Sequence, residues 1–194
     1  PRTVDVTIGD FLYPSQRSDT LIDAVQTTLK EGGVRSIDML DTYRALHDAG
    51  EYVYYRTDHH WTTKGAYVAY TALMKEWGME AEILPEDAFT VRRVEGFYGT
   101  TYSKSGLFFV SPDHLEIWET AEDSRYTVTA PDGDVILESG FINESYLDTK
   151  DKYSAFLDTA NHSVRIITDK EATQPRPRLL VPHDSFANSL VPFL

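Results

Sequence analysis

Polar and apolar residues alternate over residues 3–8, Thr3-Val4-Asp5-Val6-Thr7-Ile8, with the period of a half-buried strand, and the run ends at Gly9-Asp10. The period then changes. Leu21, Ala24, Val25 and Leu29 recur at helical spacing behind a cap at Ser18 or Asp19, and Gly32-Gly33 stops the predicted helix near Lys30. A strand is predicted over 34–39, a short helix over 41–49 closed by Gly50, and another strand over 52–57. Thr62 is placed to cap the next helix, in which Ala66, Tyr70, Leu73 and Trp77 form one apolar stripe and which Gly78 ends. Strand, helix and strand in alternation predict an α/β sheet with parallel pairs.

The texture shifts at Pro85. Short β-like runs follow at 89–94, 115–118, 126–129 and 135–138, and the last two flank Ala130-Pro131-Asp132-Gly133-Asp134, the turn of a hairpin. Residues of about 86–146 therefore predict an inserted, antiparallel β-rich lobe. Beyond it, 163–168 reads as a strand, and 170–178, with Pro175 and Pro177, reads as a surface connection. Leu179-Leu180-Val181 is a short apolar run of the kind buried at the centre of a sheet. The final Leu190-Val191-Pro192-Phe193-Leu194 predicts a buried terminal helix.

At 194 residues, 41% hydrophobic and 12% aromatic, the chain suits a single folded domain spanning 1–194. A net charge of −13 argues against a nucleic-acid partner, because phosphate recognition needs a basic surface and no Lys/Arg cluster supplies one. Anionic membranes are poor partners for the same reason. The absence of cysteine removes disulfides, zinc–thiolate sites and thiol nucleophiles. No apolar run approaches the ~18 residues of a membrane span, and no signal peptide is visible. The first residue is Pro1, so a processed or truncated chain is expected, with any export signal or membrane anchor in a segment absent from it.

Candidate chemistry concentrates at Tyr54-Tyr55-Arg56-Thr57-Asp58-His59-His60-Trp61-Thr62. An aspartate two residues before a histidine, in extended chain, places both side chains on one face, where the carboxylate holds the imidazole in one tautomer and stabilises the imidazolium. The stretch is predicted at the carboxyl end of a strand and just before a helix, where open α/β sheets place ligands. Asp58 and His60 are thus candidate orienter and base. Trp61 packs or lines a cleft, and His59 caps, satisfies backbone or contacts substrate. Gly9-Asp10 begins like a GDSL-type hydrolase motif, but Phe11 stands where the serine should be. The serine candidate is Ser185, in Pro182-His183-Asp184-Ser185-Phe186-Ala187-Asn188 directly after the apolar run. Asp184-Ser185 also has the composition of a helix cap without chemistry. Gly96 to Gly106, rich in glycine, hydroxyls and aromatics, offers Tyr98 and Ser103 as saccharide contacts or forms an ordinary turn region.

Tyr55 to Thr62, Gly65-Ala66-Tyr67, the stretch from Phe97 to Ser105 and Asp184-Ser185-Phe186-Ala187-Asn188-Ser189 together resemble the DHHW protein family of bacteria. That family is related to SGNH-hydrolase-like proteins of alginate O-acetylation, which carry an Asp-x-His-Trp motif and a later serine. The resemblance implies a three-layer α/β/α SGNH-like sandwich, with Ser185 as nucleophile, His60 as base and Asp58 as orienter. It implies an asparagine in the oxyanion hole, for which Asn161 is the candidate, although Ala160 stands before it where a glycine would be expected. It further implies a serine esterase or O-acyltransferase acting on an extracellular or cell-envelope carbohydrate, with no cofactor and no metal.

Two other classes compete. Asp58, His59 and His60 are metal-ligand types and could serve a metal-dependent phosphoesterase, which would need further acids; only scattered ones such as Asp38 and Asp41 are evident. A non-catalytic envelope module that keeps the fold and binds glycan is the third.

Overall fold

The computed structural model describes residues 18–106, 108–158, 163–168 and 178–194. The strand expected at 3–8, the connection at 170–177 and Asn161 lie outside them. Among the described residues three helices come first: α1 (Ser18–Glu31), α2 (Leu40–Asp48) and α3 (Thr63–Glu76). Thr62 caps α3, accepting a hydrogen bond from the Gly65 N–H, and Gly78 follows with a φ of 74° that only glycine adopts freely.

Two small sheets follow among the described residues. Strand β1 (Thr90–Phe97) leads into the short helix α4 (Thr100–Ser105) and pairs antiparallel with β2 (Asp113–Glu119), from Thr90 opposite Glu119 to Phe97 opposite Asp113. The second sheet has the order β4-β3-β5, with β3 (Tyr126–Thr129) antiparallel to both β4 (Val135–Leu137) and β5 (Arg165–Thr168). The turn between β3 and β4 is the predicted Pro-Asp-Gly hairpin, with Gly133 at φ 100°. The chain ends in two 3₁₀ turns, Ser185–Ser189 and Val191–Phe193.

Alternation along β2 organises the packing. Leu115 and Ile117 point into a cluster with Tyr55, Phe97, Leu147, Tyr153, Ala155 and Phe156, while Trp118 points the other way onto Tyr67, Tyr70 and Met74 of α3. The terminal turn closes that second side: the Phe193 ring lies 5.6 Å from both Tyr67 and Tyr70 and 5.4 Å from Phe89. Aromatic pairs of this geometry add about 0.5–1.5 kcal/mol each beyond area burial, so an apolar ending packs well even as 3₁₀ turns rather than the expected helix.

Several sequence expectations change. Residues 34–39 form no strand, and 52–57 form none beyond a single bridge between Tyr54 and Trp61. Leu179 and Leu180 are exposed, 56% and 86%, and pair with nothing as strand, so the apolar run is not a sheet centre among the described residues. All strand pairs there are antiparallel, in a mixed α/β fold of small sheets and several helices, so the expected parallel pairs do not appear. In α3 Ala66 and Tyr70 are buried as expected and are joined by Tyr67 and Met74, while Leu73 is half-buried and Trp77 exposed.

Gly65 fixes how α3 meets the loop before it. A Cβ there would lie 2.3 Å from the Val53 carbonyl oxygen and 2.9 Å from Trp61 Cβ. Gly65→Ala is expected to lower stability by about 1–3 kcal/mol through overpacking, read as a shift of the urea midpoint at unchanged slope.

Candidate active site

Residues 53–62 form a tight loop whose two ends are pinned together: Tyr55 N–H donates to His60 O at 3.2 Å, and Thr62 N–H donates to Val53 O at 3.0 Å. Asp58 sits at its tip with its side chain folded back. Asp58 Oδ1 accepts from the His60 N–H at 3.0 Å, an Asx turn, and from His60 Nδ1 at 2.5 Å. The pair expected to meet by strand alternation therefore meets by a turn closed on its own carboxylate.

The other carboxylate oxygen is held from far along the chain. Asp58 Oδ2 accepts from Thr100 N–H at 2.7 Å and from Thr100 Oγ1 at 3.0 Å, at the start of α4. Close approach is possible because the preceding residue is Gly99, where a Cβ would stand 2.2 Å from the Asp58 side chain. One residue upstream the same solution recurs. Asp113, fully buried at the start of β2, accepts from Thr57 N–H at 2.7 Å, Thr57 Oγ1 at 2.6 Å, Arg56 Nε at 3.0 Å and the Tyr52 hydroxyl. Thr57 in turn accepts from Gly99 N–H at its hydroxyl and from Tyr102 N–H at its carbonyl. The two segments are thereby locked together through Thr57 and Asp58.

Ser185 arrives from the end of the chain. Asp184 caps the turn, accepting from Phe186 N–H at 3.0 Å, so the capping composition is real while the next residue is free for other work. Ser185 Oγ lies 2.7 Å from His60 Nε2. Trp61 braces this turn by donating its indole N–H to Phe186 O and Ser189 Oγ, both at 3.0 Å. Tyr153 stacks on the His60 ring at 3.9 Å and 7° and donates to the Ser185 carbonyl at 3.1 Å. Imidazole, turn and serine are thus held by one tyrosine and one tryptophan.

Burial pushes the Asp58 carboxyl up, but hydrogen bonds from His60 Nδ1, Thr100 N–H and His60 N–H outweigh it and hold the group far below the usual carboxylate range. Asp58 is ionised wherever the protein is folded near neutral pH. Burial lowers His59, and the neighbouring His60 adds to this against the pull of Asp58. Burial raises the Tyr153 hydroxyl, which stays protonated as a donor.

The structure brings Asp58, His60 and Ser185 into one hydrogen-bonded line, with His59, Trp61 and Phe186 around it. His59 Nδ1 meets Thr100 Oγ1 at 2.6 Å, and its side chain is 48% exposed. The Tyr98 ring lies 4.3 Å from that of Tyr102 at a tilt of 34°, and Ser103 donates its hydroxyl to Gly99 O just before α4. Asp58, His59 and His60 present ligand atoms within 4.8 Å of one another. A metal ion there would have to displace the hydrogen bonds that orient His60 on Asp58 and Ser185. Asp38 and Asp41 serve α2 instead, Asp38 accepting from Leu40 N–H and Asp41 pairing with Arg44 at 3.8 Å. Sequence reasoning missed Thr100, Asp113 and Tyr153. For Asp113 a signal existed, an acid at the head of a strand-like run, where the residue is disfavoured unless it has a partner.

The family model described as DHHW protein matches residues 1–194. Among solved structures, a DHHW family protein from Eubacterium siraeum is similar at 23% identity and a TM-score of 0.63, over 82% of this chain and 52% of that one. Bacillus cereus PatB1, solved with a sulfonyl adduct, is similar at 21% identity and a TM-score of 0.59, over 82% of this chain and 54% of that one. The chain thus spans about half the length of these structures. Comparison with curated proteins gives no match.

Ionised Asp58 contributes stability in full above the unfolded-state carboxyl value of about 3.9, and the contribution is lost as pH falls from there toward its depressed folded value. Urea midpoints should accordingly differ most between wild type and Asp58→Asn at pH 7, and the difference should shrink by pH 3. Gly99→Ala, which drives a methyl group into the Asp58 side chain, should cost about 1–3 kcal/mol in the same assay.

Proposed function

The chain belongs to the DHHW family, and from that membership and the line joining Asp58, His60 and Ser185 we propose that it is an SGNH-like serine esterase or O-acyltransferase acting on the O-acyl groups of a carbohydrate. The observation that carries the reading is the continuous relay of 2.5 Å from Asp58 Oδ1 to His60 Nδ1 and 2.7 Å from His60 Nε2 to Ser185 Oγ, ending on an exposed serine. A buried carboxylate, a buried imidazole and an exposed hydroxyl in that order have the geometry of a nucleophilic triad.

Ser185 Oγ attacks the acyl carbonyl while His60 Nε2 takes its proton, and Asp58 holds the tautomer and stabilises the imidazolium. The Ser185 N–H, which donates to no group among the described residues, is available to the developing oxyanion. Asn161 remains the proposed second donor. Collapse expels the alcohol, which recovers the proton from His60, and the acyl-enzyme passes its acyl group to a carbohydrate hydroxyl or to water. His59, Trp61, Tyr98 and Ser103 are the proposed substrate contacts; the Trp61 indole N–H is taken up by the Ser185 turn and the Ser103 hydroxyl proton by Gly99 O, which leaves the indole face and the hydroxyl lone pairs for a sugar.

On this reading the chain forms one SGNH-like domain with a β-rich insertion at about 86–146, within a three-layer α/β/α arrangement, and works in the extracellular space or cell envelope. No described helix is long and apolar enough to cross a membrane.

Turnover of p-nitrophenyl acetate and labelling by a fluorophosphonate test the proposal. Ser185→Ala and His60→Ala should each lose on the order of a millionfold in turnover, and Asp58→Asn about ten-thousandfold, with labelling abolished in Ser185→Ala. Wild-type protein that is folded yet neither turns over nor labels, and that binds saccharide equally well as Ser185→Ala, would replace the enzyme with a glycan-binding module. Activity abolished by chelator and restored by a transition metal would replace it with the metal-dependent phosphoesterase.

A further inference from the structure

Two imidazoles stand on one carboxylate, and the proposed chemistry uses only one of them to move protons. Thr100 donates its hydroxyl to Asp58 Oδ2 at 3.0 Å, and the same Oγ1 lies 2.6 Å from His59 Nδ1. A carboxylate only accepts, so the single hydroxyl proton is committed to Asp58 and Thr100 Oγ1 meets His59 as an acceptor. Asp58 Oδ1, 3.7 Å from His59 Nδ1, adds a second negative neighbour. Both place the His59 proton on Nδ1 and leave Nε2 as a lone-pair acceptor. His60 is arranged in parallel, with Nδ1 on Asp58 and Nε2 on Ser185.

His59 Nδ1 is taken up by Thr100 beside Asp58, as His60 Nδ1 is by Asp58 itself, which leaves the Nε2 atom of each ring free of that carboxylate. The ring centroids are 3.9 Å apart with a tilt of 37°, and the Phe186 ring flanks both, 5.9 Å from His59 and 5.0 Å from His60. His59 Nε2 has no hydrogen-bond partner among the described residues. Two acceptors on adjoining rings, one already on Ser185 and one without a partner, suit neighbouring hydroxyl groups on a sugar ring.

We propose that His59 is a specificity-determining residue that accepts a hydrogen bond from the hydroxyl next to the one being acylated, so that the site selects acceptors with vicinal hydroxyls. The inference rests on the acyl-enzyme reading given above. In the transfer step the attacking hydroxyl bonds to the acyl carbon and gives its proton to His60 Nε2. The bond from that carbon to Ser185 Oγ then breaks, and Ser185 recovers the proton from His60. His59 gains and loses no proton; it holds the adjacent hydroxyl in place.

The test uses p-nitrophenyl acetate as donor and compares methyl glucoside, which has vicinal hydroxyls, with 1-propanol, which has one hydroxyl. Wild-type enzyme should transfer acetyl to methyl glucoside in preference to 1-propanol at equal concentration. In His59→Phe, which keeps an aromatic ring against His60, the ratio of the two transfer rates should fall about tenfold, the scale of one lost hydrogen bond. An unchanged ratio, including one in which both rates fall together, would overturn this inference alone. Failure of the wild type to form any acetyl-enzyme would overturn it together with the function it rests on.

Discussion

A carboxylate taken almost wholly out of water must be saturated with donors, and the site is built around meeting that requirement for Asp58. Four hydrogen bonds do so, two from His60 and two from Thr100, forty-two residues further along the chain. Each donor is also an instruction to the backbone. The His60 pair closes the turn that aims the imidazole outward, and the Thr100 pair draws α4 against the motif, with Gly99 leaving the space. Asp113 meets the same demand at Thr57, tying the loop to β2, whose other residues form the core on which the loop rests. The burial of two carboxylates is thus offset by bonds that double as positioning restraints.

The same bonds bring the serine to a fixed place although its segment has no regular strand among the described residues. The 3₁₀ turn at Ser185–Ser189 is closed by Asp184, hung from Trp61 and touched by Tyr153, all of which also contact or neighbour the motif. Tyr153 shares its ring face with His60 and its hydroxyl with the Ser185 turn, so the base and the nucleophile have a common support. Below the other face of β2, Phe193 locks the end of the chain onto α3, which keeps the serine turn from swinging away.

The site was far more legible in the sequence than the fold. Asp58, His60 and Ser185 carry chemistry in their residue types, and Thr62, Gly78 and the Pro-Asp-Gly turn carry backbone preferences that act locally, so each could be read from its own neighbourhood. The strands at 34–39, 52–57 and 179–181 were misread because short apolar or alternating runs do not encode a pairing partner. Tyr52 and Tyr55 pack on one cluster and Val53 and Tyr54 on another, so the run lacks strand alternation, and its backbone closes a loop on the Asp58 turn. Thr100, Asp113 and Tyr153 escape notice for a related reason: each acts across more than thirty residues, and nothing nearby reveals its partner.

The central claim is that Asp58 and His60 make Ser185 a nucleophile. Acid quenching of the protein during turnover of p-nitrophenyl acetate, followed by peptide mass mapping, tests it most directly. The account predicts one acetyl group, on Ser185, present in wild type and absent from Asp58→Asn. Acetyl on another residue, or on Ser185 to the same extent without the Asp58 charge, would contradict it.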